Sequence, residues 1–115
     1  MAGKRSADIQ LKDDDAGIHF GLFKNKQLSA VLSLFIKEDT AQFRKFATLQ
    51  EEQGKGYGSM LLTYVMDYAK KQGVKKICCN ARGNKVAFYQ KFDLEASDGT
   101  FAKGGRIYVI MRKDL

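Results

Sequence analysis

Gln53-Gly54-Lys55-Gly56-Tyr57-Gly58-Ser59 (QGKGYGS) places three glycines at alternate positions directly ahead of the best helical pattern in the chain. Glycine loses more backbone entropy on folding than any other residue, so three of them at a helix entrance need a reason. A helix N-terminus presents unpaired amide N–H groups and the positive end of the dipole, which suits phosphate oxygens. The stretch also lies between a strand pattern and a helix pattern, as a phosphate loop does. It is not a P-loop, because no Gly-Lys-Ser/Thr follows at the required spacing. It is not a dinucleotide fingerprint either. Its glycines run G-x-G-x-G, and GVKK at 73–76 stands where the acidic residue would be. Spacing alone leaves two readings open, a flexible turn and a phosphate cradle.

Outward from this loop, two periodicities meet. After it, Leu61, Leu62, Val65, Met66 and Ala69 form an apolar stripe at helical spacing opposite Thr63, Asp67, Lys70 and Lys71, and Gly73 supplies a stop. Before it, strand patterns cover 18–24, 27–37 and 40–49, with turns at Asn25-Lys26 and Glu38-Asp39. In the middle strand Leu28, Ala30, Leu32, Leu34 and Ile36 share one face, and Val31 and Phe35 lie on the other, as in a central strand covered on both sides. The first half therefore reads as an antiparallel meander. A short strand at 76–81 follows the helix, and strand-helix-strand order implies a parallel crossover to 40–49. A short helix over 84–91 and a strand over 106–112 complete an α+β fold with a mostly antiparallel central sheet and flanking helices. Residues 1–15 are polar, include Asp13-Asp14-Asp15, and read as a flexible or weakly structured lead to a single domain over 16–115.

A chain of 115 residues with 44% apolar content fits one folded domain. The apolar run at 30–36 is far too short to span a bilayer, and MAGKRSADIQ has no apolar block behind its charges, so a cytoplasmic protein without membrane association is expected. The formal charge of +7 admits anionic partners. Nucleic acid is not expected, since the basic residues are scattered and Lys70 and Lys71 complement the dipole of a helix C-terminus. Cys78 and Cys79 are adjacent, would point to opposite faces of a strand, and have no second pair to complete a zinc site; no metal is expected. They read as two small strand residues or as a reactive thiol near a ligand.

Three segments together resemble the GNAT superfamily of N-acetyltransferases over roughly residues 16–115. Gln53-Gly54-Lys55-Gly56-Tyr57-Gly58 matches the superfamily's Gln/Arg-x-x-Gly-x-Gly/Ala loop, which holds the pyrophosphate of acetyl-CoA. Arg44-Lys45-Phe46-Ala47-Thr48-Leu49 looks like the strand that runs into that loop. Asn80-Ala81-Arg82 and Phe88-Tyr89-Gln90-Lys91 resemble the next strand and the helix after it, and 105–115 resembles the last strand.

The resemblance implies a parallel pair of strands that splays apart at a cofactor cleft, with acetyl-CoA as co-substrate. Backbone groups of Ala47, Thr48 and Leu49 would bond the pantetheine arm. Amides of Gln53, Gly54, Lys55, Gly56, Tyr57, Gly58 and Ser59 would hold the pyrophosphate. Asn80 would bond pantetheine or pair with backbone, and Lys91 would meet a cofactor phosphate or solvent. Tyr89 matches the tyrosine that protonates the departing thiolate; its alternative is a packed ring beside Phe88. The expected function is acetyl transfer to a primary amine, with a catalytically weak CoA-binding protein as the alternative.

Some relatives carry a glutamate base where this chain has Gln42. Glu51 and Glu52 lie beyond the strand, His19 sits on an early one, and a water chain is the default proton acceptor. Further departures are Gln50 in place of proline, Lys85 in place of alanine, Asp93 in place of glycine and Tyr108 in place of a histidine. The usual first strand and two helices, which build a wall of the acceptor pocket, have no counterpart in the polar lead. That fits a compact member, a homodimer in which a second copy supplies the wall, or a piece of a longer product.

Overall fold

A computed structural model describes residues 7–15, 17–49, 54 and 56–115. In chain order the elements are β1 (Ala7–Asp14), β2 (Gly17–Lys24), β3 (Gln27–Lys37), β4 (Thr40–Thr48), α1 (Tyr57–Lys71), β5 (Lys76–Arg82), α2 (Val86–Gln90), β6 (Glu95–Lys103) and β7 (Arg106–Asp114). A single 3-10 turn, Gly83–Lys85, leads into α2. The strands form one sheet in the order β1-β2-β3-β4-β5-β7-β6, and β4–β5 is its parallel pair.

The meander turns from β2 to β3 through two residues. Asn25 (φ 52°) and Lys26 (φ 68°) are both left-handed, as are Gly104 (φ 60°) and Gly105 (φ 77°) between β6 and β7, the geometry that matches the twist of hairpin strands. Its first strand corrects the reading of the N-terminal segment. Within the expected lead, Ala7–Asp14 pairs with β2 from Ala7↔Lys24 to Asp14↔Gly17. A second strand without a sequence signal, β6, pairs with β7. The helix expected over 84–91 is shorter, its first residues being the 3-10 turn.

One face of the sheet is packed. Ile18, Phe20 and Leu22 of β2, Ala30, Leu32 and Leu34 of β3, Ala41 and Phe43 of β4, Ile77 and Cys79 of β5 and Met111 of β7 are all buried. The expected α1 stripe, Leu61, Leu62, Val65, Met66 and Ala69, is buried against this face, and Phe20 meets the rings of Tyr64 and Tyr68 edge-on at 6.1 and 5.3 Å. Burying each leucine fully contributes about 1.5–3 kcal/mol. α1 ends in a Schellman motif, with Val74 N–H on the Ala69 carbonyl (3.0 Å), Gly73 N–H on Lys70 (3.1 Å) and Gly73 at φ 89°.

The opposite face has no described helix on it. On that face Val31 and Phe35 of β3, expected to be covered, are only half-buried, and Leu28 is 43% exposed. Among the described residues no helix precedes α1. No helix there is long and apolar enough to cross a membrane. At the start of the parallel pair the Asp39 carbonyl accepts from Lys75 N–H (2.7 Å) and Lys76 N–H (3.3 Å), while the Lys75 carbonyl accepts from Leu115 N–H (2.8 Å).

Candidate active site

The parallel pair is brief. β4 and β5 are in register at Thr40↔Lys76, Ala41↔Ile77 and Gln42↔Cys78, and pairing stops there. Three residues later Lys45 takes a left-handed conformation (φ 56°), and the β3–β4 register slips between Ser33↔Arg44 and Val31↔Ala47. One extra residue on β4 is a bulge, which bends the strand and raises its twist. The bulge also puts Phe43 and Phe46, three residues apart, on the same face, with ring centroids 6.1 Å apart. β4 thus stays with β3 and leaves β5, opening a cleft of about 830 Å³ between them. Leu49 N–H bonds the Ser29 carbonyl of β3 at 2.8 Å. Alternation along the strand then turns the Thr48 and Phe46 backbone groups toward the gap and those of Ala47 toward β3.

At its far end the gap meets the entrance of α1, where the glycines have two different tasks. Gly54 (φ 83°) and Gly56 (φ 85°) are left-handed, and a Cβ on either would meet nothing within 4 Å. They shape the turn and leave open space over it. Gly58 is needed for close approach, because its Cβ would lie 3.2 Å from Thr48 Oγ1 and 3.5 Å from the Phe46 ring. Gly56 is the N-cap; no side chain caps the helix and no acidic residue stands in its first turn. The first intrahelical bond is Met60 N–H to the Gly56 carbonyl (2.9 Å), so the amides of Tyr57, Gly58 and Ser59 point out of the helix end toward the cleft they line.

Tyr89 of α2 lies on the packed side of the gap, against Phe43 (5.8 Å), Phe88 (5.2 Å) and Phe46 (6.4 Å). Its ring is buried, yet it lines the cleft, and its hydroxyl has no hydrogen-bond partner among the described residues. Burial, with Cys79 nearby as a smaller cause, pushes the phenol well above its usual range, so it stays protonated. Arg44, Lys45, Arg82, Lys85 and Lys91 also line the cleft, and no described lining residue is acidic. The field inside suits an anion.

Of the residues singled out from sequence, Ala47, Thr48, Gly54, Gly56, Tyr57, Gly58, Ser59, Asn80, Tyr89 and Lys91 come together around this cleft. Leu49 does not line it, and its N–H is held by β3. Gln53 and Lys55, with Gln50, Glu51 and Glu52, lie outside the described residues. His19 is away from the cleft: Nδ1 is 2.8 Å from Ser33 Oγ and Nε2 3.2 Å from Asp14 Oδ1, on the open face of β2. Asp93 is left-handed (φ 68°), which explains why glycine suits that position. Arg44, Lys45, Phe46 and Arg82 join the cleft without having been singled out. A signal for the bulge was there: apolar residues at Ala41 and Phe43 shift phase to Phe46, as one inserted strand residue requires.

A family model described as the acetyltransferase (GNAT) family matches residues 2–94. A GNAT family acetyltransferase from Elizabethkingia anophelis, solved with acetyl-CoA bound, superposes with a TM-score of 0.83 at 15% identity, covering 97% of this chain and 100% of that one. A Bacillus subtilis acetyltransferase in complex with CoA gives 0.79 at 19% identity, over 95% of this chain and 99% of the other. The ribosomal-protein-S18-alanine N-acetyltransferase from Escherichia coli gives 0.77 at 20% identity, over 88% and 70%. At these identities the likeness is one of fold.

Proposed function

The chain belongs to the acetyltransferase (GNAT) family, and on that premise we propose that it transfers the acetyl group of acetyl-CoA directly to a primary amine of a small molecule, a lysine side chain or a protein N-terminus. One observation carries this reading. The edge of β4 that parts from β5 runs from the Lys45 bulge into the glycine-shaped start of α1, which no side chain caps, and Tyr89 lines the same cleft. Relatives in fold that bind acetyl-CoA or CoA support it.

In this reading the amides of Tyr57, Gly58 and Ser59 hold the pyrophosphate, and Lys85 and Lys91 supply further positive charge. The gap-facing backbone of Phe46 and Thr48 bonds the pantetheine arm as a neighbouring strand would. A gap-facing N–H also stabilises the oxyanion that forms when the amine attacks the thioester carbonyl. The C–N bond forms, the C–S bond breaks, the thiolate takes the phenolic proton of Tyr89, and the proton that the nitrogen sheds on becoming an amide restores the phenol through water. The amine must shed a proton before attack, and no His, Asp or Glu is among the described lining residues, so water accepts it. That last point favours a second reading, a CoA-binding protein with weak transfer.

CoA thiol release against a panel of amines, measured beside CoA binding, separates the two. Release above the uncatalysed rate is expected; CoA binding without release would sink the enzyme reading. Gly56→Glu, which strains a left-handed position and places a carboxylate among the phosphate-binding amides, is expected to weaken CoA binding by more than tenfold with the fold retained by circular dichroism. Unchanged affinity would refute the loop assignment.

A further inference from the structure

The cleft passes through the sheet. Tyr89, Phe43, Cys79 and the start of α1 lie on its helix side, whereas Arg44, the cross-strand neighbour of Ser33, lies on the open side. There Arg44 is held in place without being neutralised. Its Nε and Nη2 both donate to Gln42 Oε1, at 3.2 and 3.0 Å, and its Cζ lies 5.5 Å from the centre of the Phe35 ring. Both partners are uncharged, and Arg44 makes no ion pair with any described residue. Three of the five guanidinium N–H groups are left for another acceptor. A second guanidinium is on the same face: Arg112 of β7 is opposite Cys78, which is itself opposite Gln42, and both Arg112 and Arg44 act on the Cys78 thiol. Glu95, in register with Arg112, makes no ion pair with it.

A preorganised guanidinium in the cleft lining, held by an amide and a ring and with a second guanidinium on the same face of the sheet, suits a carboxylate or phosphate. The pyrophosphate of CoA does not account for it. Thr48, beside the start of α1, is four residues further along β4, roughly 13 Å at full strand rise, and its side chain is on the helix side. The acceptor is the substrate that remains. Building on the acetyl transfer proposed above, we propose that the acceptor is an amine that also bears an anionic group, and that Arg44 seats that group, with Arg112 adding positive charge on the same face. Gln42 then acts as a positioning residue: a carboxylate there would fix Arg44 equally well but cancel its charge.

Steady-state kinetics at saturating acetyl-CoA test this with ω-amino acids from glycine to 6-aminohexanoate against their carboxamides, and O-phosphoethanolamine against ethanolamine. At least one anionic acceptor is expected to exceed its neutral counterpart tenfold or more in kcat/KM, and the preferred pair tells carboxylate from phosphate. Arg44→Gln and Gln42→Glu should each bring that ratio to within about twofold, with the CoA dissociation constant unchanged. A wild-type ratio near one in every pair, or a ratio that survives Arg44→Gln, would overturn the proposal. If CoA binds and no amine is acetylated, acetyl transfer has failed separately. Calorimetry of the same pairs on CoA-loaded protein then reads the subsite. Anion-dependent binding lost in Arg44→Gln supports it, and equal or absent binding overturns it.

Discussion

Cys78 and Cys79 are neighbours in β5, yet they inhabit the two faces of the molecule. Cys79 points to the helix side, is 2% exposed, and its thiol is pushed up to about 12 by burial and, less, by Cys78. Cys78 points to the open side and is half-buried. Burial raises its thiol too, but Arg112 and Arg44 pull against that rise. A one-residue step along a strand exchanges an apolar, ring-lined environment for a cationic one reached by solvent. The same division separates Tyr89 from Arg44 across the cleft. In the acetyl transfer proposed above, a sheet covered on one face would keep the phenol dry while a charged acceptor is met from the other side.

Tyr89→Phe is the strongest test of this division. It should lower kcat by about 10²–10⁴-fold, the usual range for a lost general acid, and leave the preference between anionic and neutral acceptors unchanged. A changed preference would mean that the two faces do not act separately. Next in size, iodoacetamide at pH 8 should label Cys78 at least tenfold faster than Cys79, read by peptide mass spectrometry. Equal labelling would show that α2 does not shield its side.

The smallest effect is on stability. An unfolded thiol titrates near 8.5 and native Cys79 near 12. Between these values the unfolded chain binds fewer protons than the native one, so this contribution is complete below about pH 8.5 and is lost as pH rises toward 12. Urea unfolding at pH 7.5 and 10 should show wild type losing about 1–2 kcal/mol more than Cys79→Ala over that interval. Parallel losses would mean that Cys79 ionises as easily folded as unfolded.

What could be read from the sequence followed burial. The interior strands β2 to β5 and the buried stripe of α1 carry strong apolar periodicity, and each was recognisable. The two strands that escaped notice, β1 (ADIQLKDD) and β6 (EASDGTFAK), are the two edges of the sheet. An edge strand resists pairing with other chains by being charged and irregular, which also erases the alternation that would reveal it. At the cleft, Gly54, Gly56 and Gly58 were legible because left-handed turns and close approach demand that residue type, and Tyr89 because it falls in a motif. The backbone direction at Leu49 was not, since it depends on the phase set by a bulge at Lys45, a residue that seldom adopts the left-handed conformation found there. Arg44 went unremarked because an arginine in a strand looks like any solvated charge until Gln42 and Phe35 are seen to hold it.

The hydrogen bonds that tie Lys75 and Lys76 to the Asp39 carbonyl, and Leu115 to the Lys75 carbonyl, make the closed end of the splayed pair a pivot, and the two strands a pair of tongs. β4 runs six residues past the last paired position, an arm of roughly 20 Å. On an arm of that length a rotation of about 3° carries the tip by about 1 Å, a displacement large enough to spoil or restore a near-attack alignment. By the same geometry, a change of packing around Asp39 and Lys75 would be felt at the other end of the cleft.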